Sequence, residues 1–344
     1  METVFVEALC KEIREFPGKK ENAETIYFGG GTPSLLSPKS IEMIMEALHK
    51  RFTVPRDTEI SLEANPEDIC KENLHAWKSM GFNRLSIGIQ SLNDELLTFL
   101  GRKHSKAQNI QCLEATQQAG FDNISADLIY GVPGMSQEVW EHDLRTVLSS
   151  GIHHLSAYHL TIETGTLLHR QLKQGHFSLP DDETSYRQFI RLFEITEQEG
   201  FPWYEISNFA KPDFHSRHNS SYWKGTAYYG FGPSAHSYDG NNKRWWNESD
   251  LSSYINPVQN QSNHEILSKK DKINDYLITH LRTRRGVDLK EMANRFPDLT
   301  IIQLKRKLDV YTTEGKAVLS GNLFSLRPES LFISDSILKD ILYI

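Results

Sequence analysis

The stretches SMGFNRLSIGIQS (residues 79–91) and QAGFDNISADLIYG (residues 118–131) share one design that decides the fold. In each, the end of a helical pattern is followed by glycine, then by a large apolar residue, and then by a short apolar strand. Glycine suits the left-handed backbone conformation just past a helix end, where a Cβ atom is penalised. The design recurs at residues 149–161 and 198–209, and its four glycines are Gly81, Gly120, Gly151 and Gly200. The sequence therefore predicts repeated connections from a helix to a strand.

Two more apolar strands, predicted at residues 25–28 and 59–63, precede this repeat. After the first of them, Ser37 and Pro38 supply an N-cap and a first helical turn. The apolar face of the helix that follows consists of Ile41, Ile44, Met45, Leu48 and Phe52. Apolar strands that alternate with amphipathic helices predict a parallel sheet covered by helices. A complete or partial (β/α) barrel and an open doubly wound sheet both satisfy this pattern.

Polar residues stand where the predicted strands end, and they favour the barrel. GGGTPS (residues 29–34) follows the first strand, and Glu63, Gln90 and Asp127 end or follow later ones. In a barrel the C-terminal ends of the strands surround one mouth, so these residues would face a shared ligand. We therefore predict an α/β fold built on a partial barrel of the (β/α) TIM type.

The chemistry of these residues indicates the kind of ligand. Three successive glycines leave backbone N–H groups unshielded, and Thr32 and Ser34 add hydroxyls, but the loop has neither phosphate-loop nor dinucleotide-loop spacing. Glu63 and Asp127 can accept hydrogen bonds from a ribose or an ammonium group, and Arg102 can pair with a carboxylate. Each charged residue alone fits a barrel salt bridge equally well. Together at one mouth they favour a zwitterionic, ribose-bearing ligand.

The net charge and the distribution of apolar residues limit the kinds of partner and the cellular location that the sequence predicts. The 344 residues carry a formal net charge of −7, and the pI is near 6.1. An acidic chain argues against broad electrostatic binding to nucleic acid or to an anionic membrane surface. No run of about eighteen apolar residues predicts a membrane span, and no basic flank with an apolar stretch predicts a signal peptide. We expect a cytoplasmic protein with small-molecule partners.

The composition changes along the chain and suggests three parts. Residues 1–240 carry the strand and helix pattern, residues 241–272 are rich in Asn, Ser, Gln and Lys and read as a connecting region, and residues 273–344 form a small domain. Two or three predicted helices and a hairpin around Ser320-Gly321-Asn322 give this domain a winged-helix-like outline. The basic residues beside its helix are typical of a solvated face, so we predict no nucleic-acid partner.

Five motifs, taken in order, resemble one known family. They are TIYFGGGTPSLL (25–36), SLEANPE (61–67), RLSIGIQSLNDELLTFLGRKH (84–104), ADLIYGVPG (126–134), and HNSSYW (218–223) followed by YYGFGPSAHSY (228–238). The chain is similar to the radical S-adenosylmethionine proteins of the oxygen-independent coproporphyrinogen III oxidase family over essentially its whole length. The resemblance implies that S-adenosylmethionine binds to Gly30, Gly31, Thr32, Glu63, Gln90, Arg102 and Asp127.

The resemblance also implies a [4Fe–4S] cluster held by a C-x-x-x-C-x-x-C motif, and that motif is absent from the printed sequence. Cys10, Cys70 and Cys112 are far apart, and Cys10 is expected on a helix, so we assign no metal ligand and no catalytic residue. Two explanations are open. Either the sequence starts at an internal methionine, which we favour because a lost first strand exposes a sheet edge, or the barrel has lost its redox centre.

The family has two branches, one of which decarboxylates coproporphyrinogen III while the other binds haem and passes it to other proteins. HNSSYW resembles the motif of the haem-binding branch, which implies His218 as an axial ligand with Tyr222 and Trp223 on the macrocycle. A core or hydrogen-bonding role for His218 is the alternative. We expect a haem chaperone with haem-acceptor partners. A coproporphyrinogen III oxidase and a cluster-less binding remnant are the other hypotheses, and whether the chain is an enzyme stays open.

Overall fold

The computed structural model describes residues 2–256, 263–297 and 301–342, in which short strands alternate with helices. The strands are β1 (Thr25–Phe28), β2 (Glu59–Ala64), β3 (Arg84–Gln90), β4 (Ile124–Tyr130), β5 (His154–His159), β6 (Trp203–Glu205), β7 (Asn208–Ala210), β8 (His236–Tyr238), β9 (Lys243–Trp246), β10 (Asn263–Ile266), β11 (Val287–Asp288), β12 (Ala317–Ser320) and β13 (Leu323–Leu326).

The α-helices follow the strands closely along the chain, and two 3₁₀ turns lie at Pro33–Leu35 and Pro66–Asp68. The helices are α1 (Glu2–Glu15), α2 (Pro38–Arg51), α3 (Lys71–Ser79), α4 (Asp94–Phe99), α5 (Lys106–Gln118), α6 (Gln137–Ser149), α7 (Leu167–Lys173), α8 (Asp182–Gln198), α9 (Arg217–Trp223), α10 (Leu251–Ile255), α11 (Lys269–Leu281), α12 (Leu289–Arg295), α13 (Ile301–Thr313), α14 (Pro328–Leu331) and α15 (Ser334–Ile341).

The main sheet has the strand order β1-β2-β3-β4-β5-β7-β6. The strands β2, β3, β4 and β5 pair in parallel, with helices between them along the chain. Every residue of β3 is buried, as expected for a central parallel strand covered on both faces. The predicted α/β class with a parallel sheet is therefore confirmed.

The last two strands of this sheet differ from the prediction. Residues 198–209 were expected to add one more parallel strand, but β6 and β7 form a hairpin, and β7 pairs antiparallel with β5. Only Ile206 and Ser207 separate the two strands. Such a link is far too short for the crossover that parallel neighbours require, so the pairing must be antiparallel.

The predicted turns from helix to strand are confirmed. The four glycines have φ values of 95°, 80°, 84° and 79° at Gly81, Gly120, Gly151 and Gly200. The apolar residue after each glycine is buried, with at most 3% of its surface exposed, at Phe82, Phe121, Ile152 and Phe201. Left-handed glycine and a buried residue directly after it are the two parts of a common helix C-terminal motif. Local chemistry therefore sets where each strand begins.

The chain divides into two compact units. One consists of Phe28–Ser34 and Ser61–His215, and the other of Met1–Tyr27, Leu35–Ile60 and Ser216–Ile344. The predicted three-part division at residues 240 and 272 stays a proposal. Residues 241–272, predicted as a connecting region, contain β9, α10 and β10, and the antiparallel sheet β10-β9-β8 uses two of these strands. Residues 257–262 of that region lie outside the described residues.

The C-terminal part has the predicted winged-helix-like outline. The helices α11, α12 and α13 accompany a small sheet of order β11-β13-β12. The hairpin between β12 and β13 turns at Gly321, where φ is 62°, as the sequence predicted. Across residues 2–256, 263–297 and 301–342, no helix has the length and apolar character needed to cross a membrane.

Arg51 at the end of α2 ties that helix to the chain that follows α1. Its Nε atom donates to the carbonyl of Phe16 at 2.7 Å, Nη1 to Lys19 at 3.0 Å, and Nη2 to Pro17 at 2.6 Å. The guanidinium also lies over the rings of Phe16 and Phe52, and only 8% of the residue is exposed. A buried cation that serves three carbonyls is expected to be a strong stabilising element.

The Arg51→Met substitution is expected to lower the free energy of unfolding by about 2–4 kcal/mol, because three carbonyls lose their donor. Urea denaturation followed by circular dichroism measures the change. The neighbouring Lys50 is exposed and, among the residues that the structure describes, pairs only with Glu46, at 3.3 Å, so Lys50→Met is the matched control and is expected to cost about 0.5 kcal/mol or less. Equal stability of the two variants would contradict the role given to Arg51.

Candidate functional site

The glycine-rich loop after β1 has a conformation that depends on glycine. Gly30 and Gly31 have φ values of 79° and 71°, a left-handed region that other residues enter at a cost. A Cβ atom at either position would meet nothing within 4 Å, so backbone conformation and not crowding requires glycine here. The Gly30 N–H donates to Glu63 Oε2 at 3.1 Å, and Thr32 beside them is half-buried. The loop therefore presents an open backbone surface next to a carboxylate.

Asp127 lies one step further across the sheet from Glu63. Glu63 pairs with Ser86 in the ladder between β2 and β3, and Ser86 Oγ donates to Asp127 Oδ1 at 3.1 Å. The pKa of Asp127 is raised to about 7, because burial and the charge of Glu63 outweigh the hydrogen bonds from Ser156 and Ser86 that lower it. The two predicted acidic residues therefore form one electrostatically coupled pair on β2 and β4, the two strands that flank β3.

Gln90, the last residue of β3, has a strained backbone. Its φ is 64°, which is uncommon for a residue other than glycine, and its side chain is buried. The ladder between β3 and β4 shifts register between Ile87 and Gln90. A Cβ atom at Gly88 would lie 2.7 Å from Gln90 Nε2, so glycine there makes room for the amide. Such strain at a strand end is typical of ligand sites.

A buried polar network holds the backbone that follows Gln90. Asn109 Nδ2 donates to the carbonyls of Ile89 and Ser91 at 3.0 and 2.9 Å, while Asp143 Oδ2 accepts from Ser91 Oγ at 2.6 Å and from Leu92 N at 2.9 Å. Burial raises the pKa of Asp143. The sequence analysis missed Asn109 and Asp143. A polar residue on the apolar face of a helix was the signal that would have identified each of them.

Arg102 lies in the loop between α4 and α5 with a buried nitrogen that lacks a protein partner. Its Nε atom has no hydrogen-bond acceptor within the described part of the chain. Burial alone would raise the pKa of Glu67, but the Glu67 backbone, His104 and the charge of Arg102 outweigh it and lower the pKa. His104 Nδ1 lies 2.8 Å from Glu67 Oε2. A buried guanidinium nitrogen without an acceptor calls for an anionic ligand group.

These observations test whether S-adenosylmethionine fits the predicted residues. The open backbone of Gly30 and Gly31, the acidic pair, and the orphaned Arg102 nitrogen match a ligand with ribose hydroxyls, an ammonium group and a carboxylate. The structure brings Gly30, Glu63 and Asp127 together, with Gln90 on the strand between the two acids. Arg102 lies beside Glu67. The donor set fits the ligand, and the assignment of individual residues to it stays a prediction.

The cysteines do not fit a [4Fe–4S] cluster, which needs convergent thiolates. Cys10 is buried in α1, as predicted, where Sγ contacts the carbonyl of Met43 at 3.5 Å. Cys70 is exposed before α3, and burial raises the pKa of Cys112 to about 12. Within residues 2–256, 263–297 and 301–342, no three His, Cys, Asp or Glu side chains are grouped to hold a metal ion.

The motif HNSSYW forms α9, whose start is held by a buried carboxylate. The backbone N–H groups of Arg217 and His218 donate to Glu59 Oε2 and Oε1 at 3.0 and 2.9 Å. The first N–H groups of a helix have no partner within the helix, and they carry partial positive charge. Glu59 therefore fixes the position of His218 on the helix.

Both ring nitrogens of His218 are engaged. Nδ1 lies 2.9 Å from Thr25 Oγ1, and Nε2 lies 3.1 Å from the Tyr222 hydroxyl one helical turn away. The ring stacks on Tyr27 with 4.6 Å between centroids and 9° between planes. Burial lowers the pKa of His218 to about 4, so the imidazole is neutral at neutral pH. Trp223 is half-buried.

Neutral imidazole is the chemistry that haem iron takes as an axial ligand. The Tyr222 hydroxyl is the neighbour of Nε2 and the Thr25 hydroxyl is the neighbour of Nδ1, and the role of His218 as an axial ligand stays a prediction. The sequence analysis found His218, Tyr222 and Trp223. It missed Glu59 and Thr25, which lie 159 and 193 residues before His218 and carried no local signal.

Comparison with known proteins places this geometry in context. A sequence model described as "Radical SAM superfamily" matches residues 2–147. The heme chaperone HemW of Lactococcus lactis is 33% identical over 294 residues, which cover 85% of this chain and 77% of that protein. The heme chaperone HemW of Bacillus subtilis is 34% identical over 300 residues, which cover 85% of this chain and 79% of that protein.

A solved structure shows the same fold. Coproporphyrinogen III oxidase (HemN) from Escherichia coli, described as a radical SAM enzyme, has a TM-score of 0.84 and 23% sequence identity, and the match covers 99% of this chain and 83% of that chain. At this identity the likeness establishes the fold alone. It confirms the predicted partial (β/α) barrel of the radical SAM type.

Asp127 makes stability depend on pH. Its pKa is about 7 in the folded state, against about 3.9 in an unfolded chain. The folded state therefore binds this proton more tightly, and the resulting stability, complete below about pH 4, is lost as pH rises through 7. Relative to Asp127→Asn, the wild type is expected to lose roughly 1–3 kcal/mol of unfolding free energy between pH 4 and pH 8.

Urea denaturation of the ligand-free protein at several pH values measures this difference. The Asp122→Asn variant changes an exposed residue just before the same strand and serves as the control, for which the pH dependence of the wild type is expected. A constant difference between the wild type and Asp127→Asn across this range would contradict the shifted pKa of Asp127.

Proposed function

The chain belongs to the radical SAM superfamily, among relatives named heme chaperone HemW, and we propose that it binds haem and passes it to acceptor proteins. One observation carries this proposal. His218 is a half-buried, neutral imidazole fixed at the start of α9 by Glu59, Thr25 and Tyr222. The position of this neutral imidazole is fixed, and a single hydrogen bond to Tyr222 occupies its Nε2 atom. Such an imidazole is suited to reversible ligation of haem iron.

The proposed role needs binding that is specific and reversible. Tyr222 is 41% exposed, and it holds the Nε2 atom through one hydrogen bond. Haem would exchange that bond for the bond to iron, and release would restore it. We propose a cytoplasmic location, which the three free cysteines support because thiols stay reduced there.

We further propose that S-adenosylmethionine binds at the strand ends. Gly30, Gly31 and Thr32 would line its polar atoms, Glu63 and Asp127 would accept hydrogen bonds from hydroxyl or ammonium groups, and Gln90 and Arg102 would complete the site. When bound, this cofactor supplies an adenosyl carbon activated by a sulfonium. The protein groups orient the ligand and neutralise its carboxylate. A [4Fe–4S] cluster has no place in these steps, because the cysteines do not fit one.

The Arg102→Gln variant tests the cofactor site. Loss of a charged partner for the carboxylate is expected to weaken S-adenosylmethionine binding roughly tenfold or more. Isothermal titration of the purified protein measures the affinity. Lys103→Gln changes the exposed neighbouring residue and is expected to bind like the wild type. The same affinity in all three proteins would remove Arg102 from the site.

Two substitutions at α9 test the haem proposal. His218→Ala is expected to weaken haem binding by roughly tenfold or more, because the axial bond is lost. Tyr222→Phe is expected to bind haem at least as tightly as the wild type, because Nε2 loses its competing partner. Titration of haem, followed by the Soret band, gives each affinity, and His176→Ala, which removes an exposed histidine, is the control.

The pair of variants separates ligation from a structural role. A purely structural His218 would give weaker haem binding in both variants together with lower melting temperatures. Haem binding by His218→Ala equal to that of the wild type would remove His218 from the proposal. Coproporphyrinogen III oxidation stays an alternative that rests on the shared fold, and anaerobic turnover of coproporphyrinogen III would support it.

A further inference from the structure

A cavity of about 200 Å³ lies beside α9, and apart from Tyr222 its walls belong to none of the sites described above. All its walls belong to the unit formed by Met1–Tyr27, Leu35–Ile60 and Ser216–Ile344. Tyr222 and the residues directly after α9 form one wall, β8 and β9 contribute a second, and α11 with the end of α12 forms the third. The cavity therefore touches the haem motif through Tyr222.

The cavity is positively charged in an acidic protein. Four basic residues line it against one acidic residue, whereas the whole chain has a net charge of −7. Asp275, the acidic one, pairs with Arg244 at 2.6 Å, so Arg244 is already neutralised. The other three cations, Lys224, Lys272 and Arg295, form no ion pair within residues 2–256, 263–297 and 301–342.

The contacts of two of these cations are to neutral groups. Lys272 Nζ lies 3.5 Å from Asn241 Oδ1, and the Arg295 guanidinium lies 5.8 Å from the centre of the Tyr276 ring. Cations that are gathered around a concave surface without direct ion pairs attract an anionic ligand. A guanidinium or ammonium group binds a carboxylate more strongly than any neutral partner.

The remaining walls are aromatic. Tyr222 meets Tyr228 edge to face with 4.7 Å between ring centroids, and Tyr276 stacks on His280 at 3.8 Å. His280 lines the cavity, and burial lowers the pKa of its imidazole, so the local positive charge comes from the lysines and arginines. Aromatic walls favour a flat ligand with its own π system. The cavity thus combines a flat apolar surface with a cluster of cations.

We propose that this cavity binds the carboxylate-bearing edge of a porphyrin, so that propionate groups meet Lys272, Arg295 and Lys224 while pyrrole rings contact Tyr222 and Tyr276. This inference rests on the proposed function, because it assigns the ligand class of the same haem-handling surface. At about 200 Å³ the cavity is below the roughly 300 Å³ of a pocket for a whole drug-sized ligand, so it holds an edge of the macrocycle.

The cavity and His218 are linked by a single side chain. Tyr222 lines the cavity and also hydrogen bonds His218 Nε2 at 3.1 Å. A macrocycle edge in the cavity contacts Tyr222 and competes with that hydrogen bond. Carboxylate binding therefore places the ligand beside the imidazole, and the metal-free macrocycle is recognised without any bond to that imidazole.

Metal-free protoporphyrin IX separates carboxylate recognition from iron ligation. Its fluorescence, titrated with the purified chain, gives the affinity. The Lys272→Met, Arg295→Gln double variant is expected to bind it roughly tenfold or more weakly, because two charged partners are lost. Lys270→Met removes an exposed lysine of the same helix outside the cavity and is expected to leave the affinity unchanged. The dimethyl ester of protoporphyrin IX is expected to bind the wild type and the double variant equally.

Unchanged affinity of the double variant for protoporphyrin IX, with both proteins folded by circular dichroism, would overturn the proposal. The proposal would also be overturned if the dimethyl ester lost as much affinity in the double variant as the free acid does. ATP also combines a flat aromatic ring with negative charge, and it provides a third comparison. Charge-dependent binding of ATP without binding of protoporphyrin IX would assign the cavity to a nucleotide and overturn the porphyrin assignment.

The two proposals fail in different ways. Haem binding that depends on His218 but not on Lys272 and Arg295 would overturn the cavity assignment and leave the proposed function standing. The opposite result is that protoporphyrin IX binding depends on Lys272 and Arg295, while haem binds no more tightly than protoporphyrin IX and His218→Ala does not change haem binding. That result would support the cavity assignment and remove iron ligation from the proposed function.

Discussion

Parallel pairing of β2, β3 and β4 is the constraint on which the candidate cofactor site depends. Parallel neighbours run in the same direction, so their ends meet at one edge of the sheet. The register then places Glu63 next to Ser86, and Ser86 within 3.1 Å of Asp127. Residues 64 positions apart become one electrostatic pair. The strained backbone of Gln90 and the hydrogen bonds of Asn109 stabilise the same edge.

Much of this arrangement could be predicted because it is encoded locally. The strand at residues 25–28, the cap at Ser37 and the turn at Gly81 depend on neighbouring residues, and all three were predicted correctly. The direction of β7 and the φ of Gln90 were not predicted, because pairing with distant strands determines them. The partners of His218 lie far away in sequence, so the motif predicted the residue but not its hydrogen bonds.

The two candidate sites are built from different kinds of residues. The strand-end site is built from an open glycine loop, an acidic pair and a guanidinium nitrogen that lacks an acceptor, which together suit S-adenosylmethionine. The haem proposal depends on α9, where Glu59 fixes the helix start and burial keeps His218 neutral. A positively charged aromatic cavity next to Tyr222 extends that surface. The same tyrosine therefore connects the imidazole to the region proposed for the propionates.

The central claim is that His218 supplies an axial nitrogen to haem iron. Electron spin echo spectroscopy of the ferric haem complex tests this directly, because a coordinated imidazole nitrogen modulates the echo. We expect this modulation in the wild type and its loss in His218→Gln, a variant that keeps a hydrogen-bonding side chain. The same imidazole modulation in both proteins would contradict the account.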